Sequence, residues 1–348
     1  MKRYLWIFAV LPFLWSCIAE DRSACPQPRG VSVRMSVCPD PMTAVTHAAD
    51  EEAIRDLNLY LLDADRNVVL HRYQSSPTLR FECLPGDYLL RIAANMGRDT
   101  GDSPAWENLA VTHADDYDTL PMAYEGEVSI PSSDETVTLP TVEVQRVVAK
   151  VTYNISVAPD AGDIRLHSVQ PVNLPARMPV FDPGRRAAEY TAGEIVGSSS
   201  QTLTGTFYML PNLQGEVPSI ADQRDKGPAN APADATFLRI RALRGSKVLD
   251  YYIYPGGNNT SNFDIRANTH YRLDIMIRGD AEVDTRIRAY TVEVLCTPEA
   301  ALSNGFLLER QPMRLTLRLG GAYEETGVEA FVELKTGDVR YFGFEGQW

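Results

Sequence analysis

Apolar and polar residues alternate along much of the chain, and alternation at spacing two is the mark of strands with one buried face. It is clear in Leu57-Asn58-Leu59-Tyr60-Leu61 and in Thr78-Leu79-Arg80-Phe81-Glu82-Cys83. It returns from Lys150 to Val157, over Phe237-Leu238-Arg239-Ile240-Arg241, and from Tyr271 to Ile277. Turn chemistry separates these runs: Asp63-Ala64-Asp65-Arg66-Asn67, Leu84-Pro85-Gly86-Asp87 and Pro255-Gly256-Gly257-Asn258. With 23 Gly and 23 Pro spread among many short strands, a pair of β-sandwiches is the economical architecture. Helical periodicity is scarce, and Ser103 to Ala114 is its best candidate. A domain boundary is expected near residue 142, because 131–140 is polar and turn-rich while Val144 to Val157 reads as a long strand opening a new sheet. Pro218 to Asp234 has no periodicity and reads as a surface loop of the second domain. Beyond Tyr290 the alternation resumes at 313–319 and 328–334, as a third small β unit or as extra strands on the second domain.

The start of the chain has a different pattern. Lys2 and Arg3 precede an apolar run from Tyr4 to Trp15, broken by one proline and too short for a membrane span of about 20 residues. A charged start followed by a short apolar run is an export signal. It ends in Leu14-Trp15-Ser16-Cys17, which resembles a bacterial lipobox, with Trp15 in place of the usual small or aliphatic residue. In signals of that kind the cysteine thiol is diacylated and the cut falls just before it, here between Ser16 and Cys17. Several acyl chains, at about 0.8 kcal/mol per buried methylene, make a stable anchor.

Composition fits an exported, folded protein. The 348 residues suffice for two domains, with 44% hydrophobic and 23% charged residues. The net charge of −13 argues against nucleic acid or an anionic bilayer as partner. If Cys17 carries lipid, Cys25, Cys38, Cys83 and Cys296 remain, too widely spaced for a zinc site. Cys25 with Cys83 is a candidate disulfide, with unpaired buried thiols as the alternative. Asp63, Asp65 and Asn67 alternate like the start of a calcium loop, but Val68 stands where such a loop needs glycine, so a hairpin turn is expected and no metal. The five histidines are scattered, with no zinc-protease pair, nucleophile elbow or dinucleotide fingerprint, so neither an enzyme nor a cofactor is expected.

The motifs together carry a resemblance. The lipobox with "EDRSACP", then "LNLYLLDADRNVV", "LRFECLPGDYLLRIAANMG", "LPMAYEGEV" and "VEVQRVVAKVTYNI" follow in an order similar to the FimB-like anchor and fimbrillin-related subunits of Bacteroidetes type V pili. The stretch from "FYMLPNLQGEV" to "YYIYPGGNNTSNFDIRANTHYRLDIMIRG" is similar to the C-terminal domain of related fimbrial lipoproteins, so the likeness covers roughly residues 14 to 280. The resemblance implies an all-β chain of two tandem transthyretin-like Greek-key β-sandwich domains with a C-terminal β extension. Its divisions would be a signal peptide 1–16, a lipidated tether 17–25, sandwiches at 26–142 and 143–285, and the extension 286–348. It implies assembly with other fimbrial subunits by strand exchange, attachment to the outer membrane through Cys17, and exposure at the cell surface, with a host or bacterial surface ligand possible. Glu20 and Asp21 resemble the acidic signal that sends such lipoproteins to the outer leaflet. In the family, stalk subunits are cut after an arginine to remove the first strand, and Arg29 and Arg34 flank or lie in the expected first strand, Val31 to Val37. An anchor keeps that strand and its lipid, and "CIAEDRSACP" resembles anchors more than stalks. The alternatives are a tip or stalk subunit, or a surface glycan-binding lipoprotein using Trp106, Tyr251, Tyr252 and Tyr254 as stacking platforms.

Overall fold

The computed structural model describes residues 29–40, 49–198, 200–245, 247–279, 284, 286–298 and 313–321. The first group of strands is β1 (Val31–Pro39), β2 (Leu57–Leu62), β3 (Val68–Gln74), β4 (Thr78–Cys83), β5 (Gly86–Ala94), β6 (Ala110–Thr112), β7 (Met122–Ile130), β8 (Val137–Thr138) and β9 (Val142–Arg146). Their path is β3-β2-β5-β7-β9-β1-β4, with β8 alongside β1. This path folds over on itself. Val31, Val33 and Met35 of β1 and Leu79 of β4 share one core with Leu57, Leu59 and Leu61 of β2 and Leu90 and Ile92 of β5. The Leu84-Pro85 turn therefore joins β4 and β5 across the two layers of a sandwich, since β4 pairs with β1 while β5 pairs with β2 and β7.

The second group is β10 (Ala149–Val157), β11 (Arg165–Val172), β12 (Leu174–Pro175), β13 (Arg177–Pro179), β14 (Tyr190–Thr191), β15 (Val196–Gly197), β16 (Thr202–Met209), β17 (Phe237–Arg244), β18 (Lys247–Ile253), β19 (His270–Ile277), β20 (Ile287–Pro298) and β21 (Met313–Gly321). A three-stranded sheet, β16-β10-β19, packs on a six-stranded one, β15-β11-β17-β18-β20-β21. Tyr153 and Ile155 from the first meet Val169, Leu238, Ile240 and Leu249 from the second. The strands β20 and β21 are thus added to the second sheet, the second of the two arrangements expected for the tail; 328–334 lies outside the described residues.

Two expectations are corrected. Ser103 to Ala114 is not a helix. It holds a single turn, in which Asn108 and Leu109 donate to the carbonyl of Ala105, and then β6. Its apolar positions are fixed by tertiary contacts: Trp106 meets Tyr60 and Phe181 edge-on, and β6 pairs with β13. The run Val144 to Val157 does not form one strand either. It bends at Val147-Val148, so that β9 finishes the first sheet on β1 and β7 while β10 starts the three-stranded sheet. Every residue from Arg146 to Val151 is buried, because the chain here is covered on both faces by the two groups of strands.

That bend is pinned by charge. Arg146, 1% exposed, donates Nε to the Glu51 carbonyl (3.1 Å) and Nη1 to the Asp40 carbonyl (2.8 Å) and Asn268 Oδ1 (3.3 Å). Asn268, in the left-handed conformation at φ 51°, returns Nδ2 to Asp40 at 3.0 Å. Lys150 Nζ and Tyr208 Oη both donate to Glu51 Oε1 at 2.6 Å. Burial alone would raise the Glu51 carboxyl, but the hydrogen bonds from Lys150 and Tyr208 outweigh it and hold it below its ordinary 4.5. A carboxylate lowered in this way stabilises the fold above its unfolded value, and the contribution disappears as pH falls through the folded value. Glu51→Gln leaves buried Lys150 without its countercharge, at a cost of about 3–5 kcal/mol in urea unfolding at pH 7. The difference between wild type and variant should shrink below about pH 4.5; a pH-independent difference would contradict the ion-pair account.

Candidate assembly surface

The strand that the resemblance makes functional is β1. Its side chains alternate, with Val31, Val33, Met35 and Val37 buried and Ser32 and Arg34 exposed. On one side it runs antiparallel to β4 from Val31↔Cys83 to Ser36↔Thr78. On the other it runs parallel to β8 at Val33-Arg34 and to β9 at Val37–Pro39. Burying those four side chains is worth roughly 6–12 kcal/mol. The groove that would remain without β1 is therefore filled by the chain itself.

Arg29 and Arg34 are placed differently by this ladder. Arg29 precedes the strand and is exposed. Arg34 also has an exposed side chain, but its backbone is paired with Arg80 and Thr138, and its carbonyl accepts from the Leu139 N–H at 2.9 Å. Proteases need unpaired, extended backbone, so burial and hydrogen bonding of the main chain decide access. Brief trypsin treatment of the native protein should cut after Arg29 and spare Arg34; N-terminal sequencing that begins at Met35 would show β1 to be far less firmly seated.

Cys17, Ser16, Glu20, Asp21 and Cys25 lie outside the described residues, so the lipidation site, the cut, the export signal and the Cys25 end of the disulfide are not placed. Cys83 and Cys38 are half-buried free thiols, both pushed up by burial, with Glu143 and Asp40 adding to the effect at Cys38. The turn after β2 is a hairpin turn, as its sequence predicts: Asp63 Oδ1 accepts the backbone N–H groups of Asp65 and Asn67, and Arg66 takes φ 63°. Among the described residues no cluster of three His, Cys, Asp or Glu could hold a metal ion.

The proposed sugar-stacking aromatics are committed elsewhere. Tyr251 and Tyr254 are buried, and Trp106 lies under Arg91, whose guanidinium carbon is 4.4 Å from its ring centre. Tyr252 packs on Phe237 at 5.3 Å. No aromatic platform forms from these four, because their apolar faces are used for packing.

Sequence reasoning missed two features. One is a slot of about 640 Å³ between β7 and the β8–β9 stretch, lined by Met35, Leu90, Tyr124, Val128, Leu139 and Val142. The other is Lys226, 3% exposed and without a carboxylate, in the loop read as plain surface. Its Nζ donates to the carbonyls of Asn258 (2.8 Å) and Asn262 (2.7 Å) and stands 4.9 Å from the Phe263 ring centre. It clamps the Pro255–Phe263 turn onto a small core of Ile220, Ala235, Tyr254 and Phe263. A lysine among Gly, Pro and Ala carries no sequence sign of burial.

Burial pulls the Lys226 ammonium down to about 8 from 10.5. A lowered lysine penalises the folded state fully below pH 8, and the penalty vanishes as pH rises towards the unfolded value. Lys226 should therefore add up to about 3 kcal/mol of stability between pH 8 and 10.5. Urea melts of wild type against Lys226→Met across that range test it, and parallel pH profiles for the two proteins would refute it.

A family profile described as a domain of unknown function (DUF4906) matches residues 207–275, the part that contains the Lys226 clamp. No curated protein matches the chain. Among solved structures, the tip fimbrial protein Mfa3 of Porphyromonas gingivalis, with a C-terminal truncation, is similar at 14% identity and a TM-score of 0.51, covering 84% of this chain and 100% of that one. A candidate cell adhesion protein from Bacteroides eggerthii is similar at 12% identity and a TM-score of 0.51, covering 84% of this chain and 96% of that one. The structural neighbours are Bacteroidetes fimbrial and adhesin-type proteins, and the all-β fold is theirs. At such identities the likeness defines the fold and leaves the role to the chain's own residues.

Proposed function

We propose that this chain is a fimbrial subunit, not an enzyme, held at the outer membrane by lipid on Cys17, which anchors the fibre and ends its elongation. The observation that carries this reading is the seating of β1. Its four buried side chains fill the groove that strand exchange would need open. A subunit that keeps this strand cannot accept a neighbour's strand there, so it would stand at one end of a fibre. The sequence supplies the other half: a lipobox cysteine twelve residues before Arg29, with Glu20 and Asp21 as the outer-leaflet signal. The two sandwiches, divided at the Val147-Val148 bend, would form a stiff link between membrane and fibre, joined by the Arg146 contacts and by β6 with β13. A Cys25–Cys83 disulfide would tie the tether to the first sandwich, and comparing intact mass with and without reductant tests it.

One observation favours the second reading, a tip or stalk subunit. Exposed Arg29 offers a cut that would free the chain from its lipid. Such a cut leaves β1 in its seat, so it would release the subunit without opening its groove.

Cys17→Ala in the producing cells should move both this protein and assembled fibres from the cell envelope into the medium. Unchanged membrane fractionation would sink the lipid anchor. Loss of this protein from the membrane with fibres still attached would sink the anchoring role.

A further inference from the structure

The slot beside β7 follows from the way β7 and β9 part. They pair only at Met122↔Arg146 and Ala123↔Gln145. Past that point β9 turns to β1, pairing Val142 with Val37 through Val144 with Pro39. β7 runs on to Ile130 with β5 along one edge, and among the described residues no strand covers its other edge from 124 to 130. An uncovered edge of this length offers backbone donors and acceptors to an incoming strand.

The side chains define what such a strand must carry. On the inner face of β7, Tyr124 and Val128 are half-buried, as are Leu139 and Val142 across the slot, while Met35 and Leu90 form a buried floor. A strand laid along this edge would turn every second side chain onto that apolar surface. On the outer face the exposed residues are Glu125 and Glu127 on β7 and Glu143 on β9. Side chains of the incoming strand that point outward would stand among these carboxylates. Glu125 is already paired with Arg91 at 2.5 Å, which leaves Glu127 and Glu143 as the main charges. Period-two geometry thus demands apolar residues inward and basic residues outward, and cross-strand charge complementarity favours Arg or Lys over Glu or Asp.

We propose that the β7–β9 slot is a second docking site, which takes an extended segment of another protein with alternating apolar and basic residues by strand addition to the edge of β7. The slot lies beside the groove filled by β1 and shares Met35 with it, but its open edge belongs to β7, so a chain that cannot accept a strand in the groove can still bind one here. The inference deepens the proposed role by stating the partner's chemistry, yet it does not require the lipid.

The test uses the chain from Cys17 onward carrying Cys17→Ser, so failure of the lipid anchor and failure of the slot are read separately. Fluorescence anisotropy is measured with a labelled Val-Arg-Val-Arg-Val-Arg-Val peptide, its Glu counterpart, and the Arg peptide N-methylated at alternate amides. We expect saturable binding of the Arg peptide alone, weakened at least tenfold by the exposed double change Glu127→Lys with Glu143→Lys, and abolished by N-methylation of one peptide edge. Absence of binding, equal binding of the Glu peptide, or binding that survives N-methylation of each edge in turn would overturn the proposal. A concentration-dependent dimer in sedimentation, lost with the same double change, would assign the slot to a second copy and overturn it as well.

Discussion

A guanidinium removed from water must be answered by fixed acceptors, and that requirement shapes the centre of this molecule. Arg146 ends the first sheet and lies where the chain crosses to the second. Its acceptors come from both sides of the crossing: the carbonyls of Asp40 and Glu51 before it, and Asn268 after it. Lys150, four residues later in β10, shares the Glu51 carboxylate with Tyr208. Each of these groups costs free energy to bury alone and is tolerable only with the others in place. The relative placement of the sheets is thereby tied to a polar cluster with little freedom to adjust. Apolar packing alone, being non-directional, would leave that placement looser.

The same region governs how the first sandwich closes. β9 divides its pairing between β7 and β1 over five residues, so it cannot cover either along its whole length. β1 benefits, gaining a parallel neighbour at its C-terminal end and β8 at its middle. β7 does not, and among the described residues no strand covers its edge past Ala123. One strand is locked in and an adjacent edge is exposed for a single geometric reason. A closed groove and an open slot side by side suit a subunit that ends one kind of contact and makes another.

The loops do more than link strands. The stretch between β5 and β7 lays Trp106 against Tyr60, and Phe181, arriving after β13, completes the stack above Arg91. The Lys226 loop folds over Phe263 and Tyr254 and binds the turn after β18 through two carbonyls. Both loops convert polar, irregular sequence into ordered structure by giving a cation an aromatic face and a set of oxygens.

The sequence by itself determined the strands whose two faces differ. β1, β4, β17 and β19 alternate because one side meets a core and the other faces outward, and each residue's hydrophobicity reports its side. It also determined the turns at Asp63 and Pro255, where local side chains and glycines set the backbone. Only the tertiary structure decided the places where both faces are covered or where partners come from afar. The bend at Val147-Val148 is invisible in a run of apolar residues, because burial on both sides removes the alternation that would mark a strand's end. Trp106 and its neighbours read as a helix because apolar spacing in a short stretch cannot tell helical contacts from contacts made one by one across a sheet. The burial of Lys226 and the openness of the β7 edge carry no local signal. One depends on carbonyls 32 and 36 residues away. The other depends on where β9 turns, which is fixed by the register of strands far apart in the chain.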